Sequence, residues 1–583
     1  MLHFRALPLR CLFALALLTF NSSAQAQAPQ SNPKVIDTAR DITYIGISTV
    51  PGVEKFLNIP YGKDTSGERR FKTPEPAELP EGTVYDATEQ GLMCPQSGGW
   101  MSEDCLNLMV ARPTYGGEGW REGKTLPVMV WIYGGGLFDG NINDPRYQPD
   151  SLILQSVENR LPVIFVSMNY RLNIFGFASS STLRETNDLN VGLKDQRLAL
   201  EWVKENIHFF GGDPDRVTIL GQSSGGLSVA LQILAYGGSK GAPFRSAIMQ
   251  SSSLQPASTS SITQDSFNAI AELTGCGFHD PQNSAESLSC LRNLPMATLL
   301  EAAETHHNSM FDRTDGDVFL PTIDDDFLPM APSELARRGM FVKMPVLIGW
   351  TQDDATKFTP GDKDSREFLR LFFPDLSEVT VEKILDLYPE RDFDANVESN
   401  LGVQFYRSAQ IMRDILFVCP SFLFGWSIAK KYWDKNNLIY PPVYFFDFNQ
   451  TTEDDPGFGV VHSSDLPYVF GNLNRDGDRE GEEGHLKQGD YEVEKRTSRS
   501  WSTFVNIGAP SLPSETDRET LLEWEEGYGN RYSVTGNEEE AMSDAKVYVI
   551  GGPRPGINRL EEQKLKERCG FLNREDVVKE LKY

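Results

Sequence analysis

The chain has 583 residues, 40% of them apolar, with 55 basic against 82 acidic side chains and a formal charge of −27. Such a surface repels nucleic acid and anionic membrane, and argues against a function built on binding either. The apolar content suffices for a large core, and the length fits either several average domains or one large α/β unit.

The first 26 residues read as a secretory signal. Arg5 and Arg10 give a positive start ahead of the apolar run Leu12–Leu18, which is too short for a bilayer, and Ala24-Gln25-Ala26 is a small-x-small cleavage pattern. The expected mature chain, 27–583, is a single domain with a charge of −29, since two arginines and no acids leave (−27 − 2). No later run is read as a membrane span, so a soluble secreted protein without a stable membrane anchor is expected. Of the 7 cysteines, Cys11 leaves with the signal and Cys94, Cys105, Cys276, Cys290, Cys419 and Cys569 remain. An even set in an oxidising compartment suggests three disulfides. Arithmetic leaves many pairings; proximity favours Cys94–Cys105 and Cys276–Cys290, which leaves Cys419–Cys569. No Cys-x-x-Cys or paired-His spacing supports a metal site.

In chain order, short alternating runs between Asp41 and Tyr61 predict an N-terminal antiparallel meander. Leu126–Tyr133 is a near-continuous apolar run, as expected of a strand covered on both faces, and it leads into Gly134-Gly135-Gly136. Glycines there let backbone N–H groups turn toward a bound oxygen. Val163–Met168 is another buried strand, and Leu193–Ile207 has the spacing of an amphipathic helix. Val217–Leu220 predicts a strand and Leu227–Tyr236 a helix, with Gly221-Gln222-Ser223-Ser224-Gly225 between them. A Gly-x-Ser-x-Gly turn from strand to helix holds a serine hydroxyl proud of the sheet beside a helix N-terminus, as a nucleophile requires. Further strands are predicted at Ala247–Met249, Pro345–Gly349 and Val443–Phe446, and a helical cap or side layer from Asp353 to about Leu438. The acidic stretch Asp476–Glu494 reads as a solvated loop. Strands alternating with helices give an α/β class: a large, mostly parallel sheet flanked by helices.

Taken together, these blocks resemble the type-B carboxylesterase and cholinesterase family of α/β-hydrolases, and are similar to its secreted fungal members. The resemblance runs from about Phe56 to Asn573 and rests on blocks in the same order. They include Ser102-Glu103-Asp104-Cys105-Leu106, Tyr133-Gly134-Gly135-Gly136, Asn169-Tyr170-Arg171, Asp195–Leu200, Phe210–Pro214, the Ser223 turn and Met249-Gln250-Ser251. It implies a triad in the order Ser, acid, His. Ser223 matches the nucleophile. Among the seven histidines, His462 in Val461–Pro467 matches the family's His block; His208 follows a helix, and His279, His306, His307 and His485 lie in polar, loop-like contexts. Gly349–Ala355 matches the acid block and points to Asp354, with Asp353 the alternative, since the family commonly has Glu followed by Gly there.

The resemblance also implies an oxyanion hole from the N–H groups of Gly135, Gly136 and Ser224, the last where the family usually has Ala. It implies a hydrogen bond from Ser251 to the triad acid, buried ion pairs Arg70–Glu103 and Arg171–Asp195, and the same three disulfides. Asn449-Gln450-Thr451 is a glycosylation sequon.

The implied activity is hydrolysis of small carboxylic esters with no metal or organic cofactor. Alternatives are a triacylglycerol or sterol-ester lipase and a catalytically silent binding protein on the same fold. Ten residues separate Cys94 from Cys105, too few for a large lid, which favours an esterase over a lipase. Trp100 lies in that loop and is read as packing rather than as a cation platform.

Overall fold

Parallel strands built from the apolar runs form the centre of the computed structural model. It describes residues 32–583 apart from 118–119, 121–122, 278–284, 315, 432–440, 453–455, 474–485, 514–518, 529–541 and 543. The proposed signal, His279 and His485 therefore lie outside the described residues. A small sheet holds β1 (Lys34–Asp37), β2 (Ile42–Ile45) and β4 (Val84–Asp86). The large sheet holds β3 (Val53–Pro60), β5 (Asn107–Pro113), β6 (Leu126–Ile132), β7 (Ile164–Met168), β8 (Gly212–Gln222), β9 (Ser246–Gln250), β10 (Val346–Thr351), β11 (Val443–Phe448), β12 (Lys546–Ile550) and β13 (Gly556–Arg559). Its order is β13-β12-β11-β10-β9-β8-β6-β7-β5-β3. From β12 to β7 the strands run parallel; β13 at one edge and β5 and β3 at the other are antiparallel.

The apolar runs become central strands because both faces are covered. Every residue of β6, β7, β9, β10 and β11 is buried. The helix Ser224–Leu234 packs on β8 and β9, and Gln488–Ile507 packs on β6 and β8. Residues 33–583 form one compact unit.

Several expectations change. The predicted meander is divided: β2 joins the small sheet, whereas β3 pairs with β5 at the edge of the large one. Its alternation was real, but alternation does not name the partner strand. The acidic loop ends early, because Gln488–Ile507 is a helix whose last turns are buried against the sheet. His306 and His307 stand on the helix Met296–Thr314, not in loops. One span, Val403–Lys430, is long and apolar enough to cross a bilayer, contrary to the sequence reading; its best window has a mean hydropathy of 1.4 and is 94% buried inside the protein. It is a core helix of the predicted cap region, which also contains Ser365–Phe372 and Glu378–Leu387.

Both ion pairs form. Arg171 Nη2 is 2.7 Å from Asp195 Oδ1, with both side chains buried. Arg70 Nη2 meets Glu103 Oε1 at 2.5 Å, and Arg70 Nη1 donates to the carbonyls of Leu291 and Leu294. Leaving one charge of such a pair alone costs about 3–5 kcal/mol. The disulfides are Cys94–Cys105, Cys276–Cys290 and Cys419–Cys569. The last closes a loop of 150 residues, worth about 5 kcal/mol in the chain-entropy picture.

Candidate active site

The carboxyl ends of the parallel strands bring the predicted residues to one edge, where open α/β sheets bind ligands. Ser223 follows β8, Asp354 follows β10, and His462 lies beyond β11.

Ser223 sits at φ 59°, ψ −133°, a strained conformation for a residue with a Cβ that costs on the order of 1–3 kcal/mol. Its N–H donates to the Gln250 carbonyl on β9 (2.8 Å), and its carbonyl accepts from Leu227 N in the next helix (3.0 Å). The turn needs glycine at 225, because a Cβ there would stand 2.1 Å from the Ile132 carbonyl oxygen.

Asp354 is fully buried, and its Oδ1 lies 2.5 Å from Nδ1 of His462. Its Oδ2 accepts the Thr351 N–H at 3.0 Å. Asp353 serves the loop instead: its Oδ2 accepts the Val460 N–H at 2.8 Å, just before the histidine. Of the two acids, Asp354 is the one that meets the imidazole. The imidazole is held between Phe358, edge-on at 4.8 Å, and Phe417, stacked at 5.3 Å. Phe417 belongs to a π-helical turn, Asp414–Val418, inside the long cap helix, a feature frequent at functional sites. Nε2 of His462 lies 3.1 Å from the side-chain nitrogen of Gln222, the residue before Ser223.

The glycine loop lies against the serine turn. A Cβ at Gly134 would stand 2.8 Å from Ser223 Cβ. Gly135 has φ 119° and Gly136 φ 63°. The Gly135 carbonyl is tied back by N–H groups of Phe138 and Asp139. The Ser224 hydroxyl accepts the Leu137 N–H at 3.1 Å, a bond that Ala could not make.

Ser251 departs from expectation. Among the described residues its buried hydroxyl has no hydrogen-bond partner, and the carboxylate of Asp354 is held by Thr351 N–H and His462 instead. Ser251 is a turn residue at φ 51° whose N–H donates to the Gly349 carbonyl. Trp100 is 86% exposed, so it is not a packing residue. Asn449 is half-buried, and a Cβ at Gly552 would stand 2.6 Å from its amide nitrogen.

The carboxylesterase family model matches residues 43–546. The chain belongs to that family. A secreted lipase of Arthroderma benhamiae is 39% identical over 98% of this chain and 99% of its own. An inactive carboxylesterase-like protein, VdtD, of Byssochlamys spectabilis is 34% identical over 93% of this chain and 94% of its own. The crystal structure of Aspergillus niger EstA superposes with a TM-score of 0.73 at 26% identity, over 95% of this chain and 99% of that one. The fold is the α/β-hydrolase fold, and the chain is a carboxylic-ester hydrolase.

Sequence reasoning missed a buried network behind this carboxylesterase's histidine. Asp465 accepts Gln250 Nε2 at 2.6 Å, and Gln250 Oε1 accepts Trp501 Nε1 at 3.1 Å. Gln250 thereby ties the strand that receives the Ser223 N–H to the histidine loop. Burial pushes the Asp465 carboxyl up to about 6, helped by the nearby Asp354 charge. Asp447, on β11, is pushed up to about 7 by burial, against the pull of Arg413. Met249-Gln250-Ser251 was singled out for its serine; the glutamine is the residue with partners. Among the described residues, no group of His, Cys, Asp and Glu is placed to hold a metal ion.

Proposed function

We propose that this carboxylesterase is a secreted serine esterase for small soluble esters, acting through Ser223, His462 and Asp354. The contact between His462 Nδ1 and Asp354 Oδ1 carries this reading. An imidazole that donates from Nδ1 to a buried carboxylate presents Nε2 as an acceptor, which is the tautomer a general base needs. In the resting arrangement Nε2 faces the Gln222 amide. When an ester enters, the Ser223 hydroxyl takes that place, gives its proton to Nε2 and attacks the carbonyl carbon. Asp354 stabilises the imidazolium.

The N–H groups of Gly135, Gly136 and Ser224 receive the oxyanion, each contributing about 2.7–4 kcal/mol by analogy with measured donors. His462 returns the proton to the leaving alcohol. Water then cleaves the acyl-Ser223 ester by the same route in reverse.

Secretion is supported by the signal-like start, the three disulfides and the relative named as secreted. Asn449 is the candidate glycan acceptor, although its amide packs close to the Gly552 turn.

The lipase reading has the name of the 39% identical relative in its favour. Against it stands the short Cys94–Cys105 loop, closed by its disulfide. A silent protein has a precedent in the relative named inactive, but Ser223, Asp354 and His462 are all present here. Initial rates on p-nitrophenyl acetate, butyrate, octanoate and palmitate, and on tributyrin on either side of its solubility limit, test the substrate class. Highest kcat/KM on the short esters and a smooth rate through the solubility limit are expected. A steep rise in rate above the limit would establish the lipase instead, and no turnover of any ester the silent protein.

A further inference from the structure

One acid beside the oxyanion loop takes no part in the chemistry above. Asp317 follows the helix Met296–Thr314, and its N–H donates to the Thr314 carbonyl. A Cβ placed on Gly136 would stand 3.8 Å from Asp317 Oδ1. Gly136 is exposed, so this oxygen lies beside an open part of the site. The other oxygen, Oδ2, accepts from Gln255 Nε2 at 2.8 Å. Gln255 stands just beyond the turn after β9, on the strand-end side that also carries Ser251.

No salt bridge joins Asp317 to a cation among the described residues. The nearby ring of His307 is occupied elsewhere: it stacks on Phe138 at 3.9 Å, and its Nδ1 lies 3.0 Å from the Gly316 carbonyl.

A carboxyl in this place is a liability for plain alkyl esters. An ionised carboxylate next to Gly136 opposes the negative charge that grows on the ester oxygen. An acid with one oxygen satisfied by protein and the other turned to the site is stabilised by a donor brought by the ligand. We propose that Asp317 sets substrate specificity: its Oδ1 receives a hydrogen-bond donor, a hydroxyl or an ammonium, carried by the ester within a few atoms of the carbonyl. Enclosure by protein pushes this carboxyl up to about 7, although the residue keeps some exposed surface, so near neutral pH both of its forms are available to such a ligand. This assignment rests on the serine-esterase reading above.

The test compares kcat/KM within size-matched pairs. On the acyl side the pairs are p-nitrophenyl 3-methylbutyrate with the p-nitrophenyl esters of 3-hydroxybutyrate and 3-aminobutyrate. On the alcohol side the pair is propyl butyrate with 2-hydroxyethyl butyrate. Wild type is expected to favour the donor-bearing member of at least one side. Asp317→Leu is expected to lower that preference about tenfold or more, because the gain of a paired donor is lost. Asp317→Asn is expected to keep the hydroxyl preference and lose the ammonium preference, since Asn can accept a hydrogen bond but carries no charge.

Thermal midpoints confirm that each variant is folded, and the near-isosteric Asn variant serves should the Leu variant fail to fold. Preferences that change less than twofold on both sides would overturn the assignment. Ser223→Ala is run alongside. Full butyrate turnover by that variant would sink the esterase reading itself; its loss together with unchanged Asp317 ratios would sink only the role of Asp317.

Discussion

Ser223→Ala is expected to lower kcat on p-nitrophenyl butyrate by roughly 10⁵–10⁶-fold, about 7–8 kcal/mol of barrier. The substitution removes the attacking oxygen and nothing else of size. Ser223 is only half-buried, and its backbone contacts, to Gln250 O and from Leu227 N, do not involve the side chain. The strained turn at φ 59° persists, because alanine has the same Cβ. Stability is therefore expected to stay within about 0.5 kcal/mol of wild type. Residual turnover should still exceed the water reaction, since the Gly135–Gly136 loop is intact. KM should move little, because the hydroxyl contributes to the transition state and not to ground-state binding. A purified, folded variant with turnover within tenfold of wild type contradicts the assignment of the nucleophile.

Thermal unfolding is expected to reveal a protein more stable in mild acid than in mild base. Asp447 and Asp465 are fully buried, and burial pushes their carboxyls up to about 7 and about 6. A carboxyl whose folded value is raised binds its proton more tightly in the folded chain. Its contribution to stability is complete below the unfolded value near 4 and is lost as the pH rises through the folded value. The window is therefore about pH 4 to 7.

Together the two groups should take away on the order of 4 kcal/mol between pH 5 and pH 8, at about 1.4 kcal/mol per pH unit for each group while it titrates. Mutual repulsion in a chain of net charge −27 adds to the loss. Asn resembles the protonated acid, and Asp447 already takes a hydrogen bond from Gln563 at 2.8 Å. Asp447→Asn should therefore remove a clear part of the slope, the rest staying with Asp465 and with Asp317, whose carboxyl is also pushed up to about 7. A thermal midpoint that rises from pH 5 to pH 8, or a slope untouched by Asp447→Asn, contradicts this assignment.

The sequence made some parts of this molecule easy to read and hid others. Leu126–Ile132 and Val443–Phe448 announce themselves as central strands because burial on both faces leaves no polar position. The Ser223 turn is legible for a related reason: a glycine at 225 is imposed by a backbone oxygen 2.1 Å from where its Cβ would be. The last two strands were harder. Lys546–Ile550 is short, and the edge strand Gly556–Arg559 has no buried face to impose a pattern.

Around the histidine, periodicity carries no information. Gln222, Gln250, Asp465 and Trp501 come from four separate segments and meet only in the fold. Asp353 and Asp354 are neighbours in sequence, and only the direction of their side chains separates a loop anchor from a partner of His462. Ser251 shows the opposite error, since a residue in a matching block was given a hydrogen bond that its buried hydroxyl does not make.

The convergence of Ser223, His462 and Asp354 on one reacting centre is tested most directly by covalent trapping. The protein is incubated with a p-nitrophenyl alkylphosphonate, then digested and mapped by mass spectrometry, with His462→Ala in parallel. The predicted result is one phosphonyl group per chain, on Ser223, with stoichiometric release of p-nitrophenol and labelling slowed at least a thousandfold in the histidine variant. Labelling of another residue, or equal labelling without the imidazole, would contradict it.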